Sequence, residues 1–126
     1  MAAMETENGN GWAVASIEGL GSGPGFRKVR APLGVTAFGV NAIVLPPGYT
    51  TRVHHHERQQ ELYLVLDGEI EISLNGETRT LGPGGLARVD PGTVRSLRNR
   101  STDREATFFC VGGDGGYVGR DGVSDA

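Results

Sequence analysis

Turn-forming residues set the limits on this chain. Twenty-one Gly and six Pro are spread through 126 residues, and they break it into apolar stretches that recur about every ten residues, a spacing that suits a β-sandwich or barrel and leaves no room for long helices. Pro46-Pro47-Gly48, Asp67-Gly68, Asn75-Gly76 and Gly82-Pro83-Gly84-Gly85 read as turns. Between and around them, Phe26 to Val29, Val35 to Leu45, Thr50 to His56, Glu61 to Leu66, Glu69 to Leu74 and Glu77 to Leu81 read as strands. Leu86 to Val89, Val94 to Arg98 and Ala106 to Val111 complete the set. Glu69 to Leu74 alternates cleanly, which gives one buried and one wet face. Leu62 to Leu66 is apolar on both parities and is expected to be a central strand covered on both sides.

The length fits one domain with one core. Residues 1–11 are polar and Gly-rich and are expected to be flexible, with the ordered barrel over 12–112 beginning at Trp12, Val14 and Ile17. Ser16 can cap a short helical turn that the glycines from Gly19 onward end. Residues 113–126 form a Gly-rich tail with little capacity for regular structure, folding back through Tyr117 and Val118.

Composition excludes several functions. Twelve Lys and Arg against fifteen Asp and Glu give a net charge of −3, so no global attraction toward nucleic acid or an anionic membrane is expected. The N-terminus has neither a basic leader nor an apolar region, and no run is long enough to span a bilayer, so a soluble cytoplasmic protein is expected. The single cysteine, Cys110, lies in the apolar run Thr107 to Val111. It cannot form an intrachain disulfide and reads as a core thiol without chemistry.

One cluster carries metal-ligand character. All three histidines are consecutive, His54, His55 and His56, and Glu61 follows five residues later. In a strand, positions 54 and 56 share a face while His55 points away to the surface, and an antiparallel return can bring Glu61 beside the pair. Two imidazoles and a carboxylate are a ligand set used by zinc and by non-haem iron, with a position left for water or substrate. Unoccupied, the same residues would be hydrogen-bonded polar lining. Tyr63 shares the parity of Glu61 and is expected to line the cavity or to be a core tyrosine satisfied by a backbone carbonyl. Arg52, Arg58, Arg88, Arg98 and Arg100 read as a solvated face.

At these positions the chain resembles the cupin superfamily. Its first motif is a Gly, five residues, His, one residue, His, three or four residues, Glu, six residues and a Gly; Gly48, His54, His56, Glu61 and Gly68 fall on every position. In the second motif, Gly84, Gly92 and Asn99 keep register, but Asp90 stands at the Pro position and Arg95 at the His position. Asn99 is expected to fix a turn through bonds to backbone. The resemblance covers residues 33–112 and implies an all-β, double-stranded β-helix, a jelly-roll barrel enclosing a small cavity. It also implies a metal site on His54, His56 and Glu61 that lacks its fourth ligand.

Guanidinium has no lone pair to donate, so Arg95 cannot replace a histidine ligand. In one arrangement it pairs with Glu61 and leaves a metal-free lining. In the other, a divalent ion such as Zn, Fe, Mn or Ni sits on His54, His56 and Glu61, while Arg95 holds an anionic ligand. Repulsion of about several kcal/mol between a bare ion and a nearby guanidinium favours the first unless an anion stands between them.

Two functions remain open. One is a small-molecule binding module whose pocket is lined by His54, His56, Glu61, Tyr63 and Arg95 and takes an anion. The other is a metal-dependent dioxygenase, isomerase or decarboxylase. The resemblance further implies a homodimer, with the segment Trp12 to Ile17 able to cover a partner's sheet.

Overall fold

The computed structural model describes residues 3–125; residues 1, 2 and 126 of the two expected terminal segments lie outside it. Twelve strands and two short helical turns follow one another: β1 (Glu7–Gly9), β2 (Trp12–Val14), a 3₁₀ turn (Glu18–Leu20), β3 (Gly25–Lys28), α1 (Arg30–Leu33), β4 (Gly39–Leu45), β5 (His54–His56), β6 (Gln60–Asp67), β7 (Ile70–Leu74), β8 (Glu77–Leu81), β9 (Leu86–Val89), β10 (Arg95–Arg98), β11 (Ala106–Gly113) and β12 (Gly122–Ser124). One five-stranded sheet has the order β3-β4-β11-β6-β9 and the other β12-β5-β10-β7-β8. Every paired strand is antiparallel. This is the jelly-roll, double-stranded β-helix expected above. No described helix is long and apolar enough to cross a membrane.

The period of two builds the core. Ile43 and Leu45 of β4, Tyr63 and Val65 of β6, Ile70 and Ile72 of β7, and Ala106, Phe108 and Cys110 of β11 join one buried cluster with Val89 and Leu97. Gly48, Gly68, Gly84 and Gly92, the turn glycines of both motifs, have φ of 76°, 73°, 84° and 83°. L-residues rarely adopt such angles, and at Gly68 a Cβ would also stand 2.9 Å from Ala106. Asn99 is buried and donates to the Leu45 and Arg104 carbonyls at 3.1 and 2.8 Å, fixing its turn as expected.

Three local expectations need correction. The strand covered on both sides is β4, whose Ala42 to Leu45 are all buried, because Ile17, Leu20 and Leu33 pack on the outer face around Val29, Val40 and Ala42. The outer face of β6 is open, with Leu62 and Leu66 45% and 42% exposed; apolar composition on both parities did not reveal which face lacked a cover. Ile17 thus packs on its own chain's sheet, while Trp12 and Val14 stay exposed. Regular structure also extends into both terminal stretches. Glu7–Gly9 forms a hairpin with Trp12–Val14, and Gly122–Ser124 pairs with β5 in the register Gly122 to His56 and Ser124 to His54.

Candidate metal and ligand site

Strand pairing assembles the cluster. β5 sits between β12 and β10, and the register sets Arg95 opposite His54. Glu61 opens the inward parity of β6 in the facing sheet. It pairs with Gly112, where a Cβ would run into the Gln59 side chain and lie 3.2 Å from Glu61 Cγ. One donor atom from each of His54, His56 and Glu61 lies within 4.8 Å of the others. His55 points away, and its Nδ1 meets Asp125 at 2.8 Å.

Hydrogen bonds fix how the imidazoles present themselves. His54 Nδ1 lies 3.1 Å from the Arg52 carbonyl and His56 Nδ1 lies 2.6 Å from Asp121 Oδ1. A carbonyl and an ionised carboxylate only accept, and Gln59 Nε2, 3.3 Å from His56 Nδ1, donates to Asp121 Oδ1 at the shorter 2.6 Å, so in each neutral ring Nδ1 carries the proton and Nε2 can offer a lone pair. His56 Nε2 faces Glu61 Oε1 at 3.4 Å. Two donor atoms ~2.1 Å from one tetrahedral ion stand about 3.4 Å apart, so this spacing fits a shared cation. Burial depresses His54 below the ordinary imidazole value, and the nearby His56, Arg52 and Arg95 add to this against the Arg52 carbonyl bond.

Glu61 is bonded from the core side. Its Oε1 accepts from the Tyr63 hydroxyl at 2.7 Å and its Oε2 from Cys110 Sγ at 3.2 Å. Tyr63 therefore donates to a carboxylate rather than to a backbone carbonyl, and Cys110 touches the site. Burial, reinforced by Glu61, holds both the Tyr63 hydroxyl and the Cys110 thiol in their protonated forms. Arg95 is 0% exposed. Its Nη2 stands 4.0 Å from Glu61 Oε1, beyond hydrogen-bond reach, and makes only long contacts of 3.5 and 3.4 Å to the Val89 and Asp90 carbonyls. Nε and Nη1 are buried with no partner.

The family model described as "Cupin domain" matches residues 41–112. This chain belongs to the cupin family. The match takes in His54, His56, Glu61 and Arg95 and ends before the C-terminal stretch. The cupin is 35% identical over 72 residues to a β-D-galactosidase of Mycobacterium tuberculosis, covering 57% of this chain and 60% of that protein. It is 36% identical over 62 residues to an oxalate-binding protein of Thermotoga maritima, covering 48% and 51% respectively. The chain thus spans between half and three-fifths of the length of these curated relatives. A solved sugar phosphate isomerase from the cupin superfamily of Silicibacter pomeroyi has a TM-score of 0.64 to this cupin at 30% identity, covering 69% of this chain and 57% of that one.

Two contributors to the cupin's site escaped the sequence reading. Cys110 carried a signal, since it has the inward parity of β11 and pairs with Tyr63. Asp121 lies outside the motif region, in the Gly-rich stretch, and accepts from the Arg58 and Gln59 amides at 2.9 and 3.0 Å and from Gln59 Nε2 at 2.6 Å. Burial works to raise its carboxyl, but the bonds from Gln59, His56 and the two amides outweigh it and hold the group well below the usual carboxylate range. Nothing in the local sequence marks it. The arginines read as a solvated face make exposed ion pairs, Arg58 with Asp114, Arg88 with Asp90 and Arg100 with Glu71.

Proposed function

We propose that this cupin binds a small carboxylate anion at the cluster of His54, His56 and Glu61, with Arg95 as the buried counter-charge. One observation carries the reading: a guanidinium with no exposed surface keeps two donors unpartnered. Each such donor costs on the order of 1–3 kcal/mol, more when charged, and an anion relieves that cost. Glu61 already accepts from Tyr63 and Cys110 and stands too far away to do so. The oxalate-binding relative supports an anion of this size and class. Calorimetry with oxalate, with and without Zn²⁺ or Mn²⁺, tests the reading. Wild-type protein should bind oxalate and Arg95→Met should lose at least about tenfold in affinity, the 1.4 kcal/mol of one charge-assisted bond. Equal affinity in the two proteins would sink the assignment of Arg95.

A second reading, a metal-dependent enzyme, rests on the 3.4 Å approach of His56 Nε2 to Glu61 Oε1. With Nδ1 committed to Asp121, two lone-pair atoms face each other, and a cation between them turns repulsion into ligation. His54, His56 and Glu61 would hold it. A divalent ion there would polarise a bound oxygen; the chain's own residues orient the ligands and set a positive charge behind the site. The similarity to a sugar phosphate isomerase is compatible with this reading. Elemental analysis of protein purified without added metal separates the two.

A homodimer belongs to the same proposal. Leu62, Leu66 and Leu86 are 45%, 42% and 60% exposed on one sheet face, an apolar row of the kind that a second copy covers. Light scattering at micromolar concentration should give twice the monomer mass, and a monomer would remove the dimer from the proposal.

A further inference from the structure

We infer that the C-terminal strand is a working part of the site and that Asp121 is a positioning residue, which holds His56 in the tautomer that points a bare Nε2 toward Glu61. The family match ends at residue 112, yet His56 Nδ1 finds its partner nine residues later, at 2.6 Å. The carboxylate is itself fixed. Its Oδ2 accepts from the Arg58 and Gln59 amides, at the connection between β5 and β6, and its Oδ1 accepts from Gln59 Nε2. One side chain thus ties the ring of His56 to the turn that leads to Glu61.

The strand approach is matched to this task. β12 lies along β5 with Gly122 opposite His56, and a Cβ at Gly122 would stand 3.3 Å from His56 Cε1 and 3.0 Å from Arg52 Nη2. A glycine next to Asp121 lets the backbone come close enough for the carboxylate to reach Nδ1. Nearby, Asp125 meets His55, on the opposite parity of β5, at 2.8 Å. The tail therefore carries one carboxylate for the ring inside the cluster and one for the ring outside it, and only the first bears on the site. A carboxylate on the far nitrogen of an imidazole orients the ring and raises its basicity as a ligand, an effect whose loss typically weakens metal affinity by about 10–100-fold.

The test reads the tautomer directly. In ¹⁵N-labelled, metal-free protein above neutral pH, long-range ¹H–¹⁵N correlations should place the His56 proton on Nδ1 in the wild type. Asp121→Ala should shift it toward Nε2, and Asp125→Ala should leave it unchanged. Zn²⁺ affinity should fall about 10–100-fold in Asp121→Ala and stay within about twofold in Asp125→Ala. A wild-type His56 with its proton on Nε2 overturns the inference, and so does the same tautomer in wild type and Asp121→Ala. If Asp121→Ala does not fold, the wild-type spectrum alone decides. The metal arm rests on the second reading above. Should wild-type protein take up no Zn²⁺, that reading fails while the tautomer measurement still judges Asp121.

Discussion

The two walls of the site are finished to different degrees. In the first, the cluster that β5 and, from the facing sheet, β6 build together, His54 has the Arg52 carbonyl, His56 has Asp121, and both oxygens of Glu61 have donors in Tyr63 and Cys110. The second is Arg95 alone, on β10 beside β5 in the same sheet, which is more deeply buried than any of them and has two donor nitrogens without partners. Interiors rarely tolerate such a group. The first wall holds its geometry with the resources of the chain, and the second has two nitrogens for which the chain supplies no partner.

Removing a charge from each wall in turn is the sharpest way to break this contrast. Glu61→Gln should destabilise the protein by about 3–5 kcal/mol, because it strips the nearest negative charge from a guanidinium that cannot reach water. Arg95→Met should be close to neutral, or stabilising by about 1 kcal/mol, since Glu61 keeps its bonds from Tyr63 and Cys110 while two orphaned donors disappear. Urea denaturation of both variants and of the double variant measures the coupling. Equal losses in the two single variants would mean that Arg95 is as well satisfied as Glu61 and that the walls do not differ.

The same contrast separates what could be read in the sequence from what could not. The first wall was legible because His54, His56 and Glu61 are close in sequence and obey strand parity, so period-two geometry brings them together. The turn glycines likewise marked the barrel, since their positive φ values require residues without a Cβ. Arg95 was legible as an oddity in the histidine position, but whether it bonded Glu61 depended on distances no spacing encodes. Asp121 was invisible. It reaches His56 across a separation of 65 residues, from a stretch whose composition reads as unstructured, and only the pairing of β12 with β5 makes it local. The uncovered face of β6 was missed for a related reason: covering depends on where the N-terminal segment lies, and it lies over β4.

The smallest effect tests whether the walls are electrically connected. His54 stands opposite Arg95, and its imidazole is held below the ordinary value of 6.5 by burial first and then by His56, Arg52 and Arg95. A depressed imidazole favours the neutral ring in the folded state, so the unfolded chain takes up the proton first as pH falls. In metal-free protein the contribution of His54 to stability is therefore complete above 6.5 and is lost as pH drops through that value toward the folded one. Urea midpoints across this window should fall more steeply for wild type than for His54→Gln. Arg95 is the last-ranked of the charges acting on His54, so Arg95→Met should move the His54 titration only slightly upward, by an amount that NMR can resolve. An unchanged titration would mean that the field of Arg95 is already neutralised where His54 sits, and the second wall would then need no ligand to balance it.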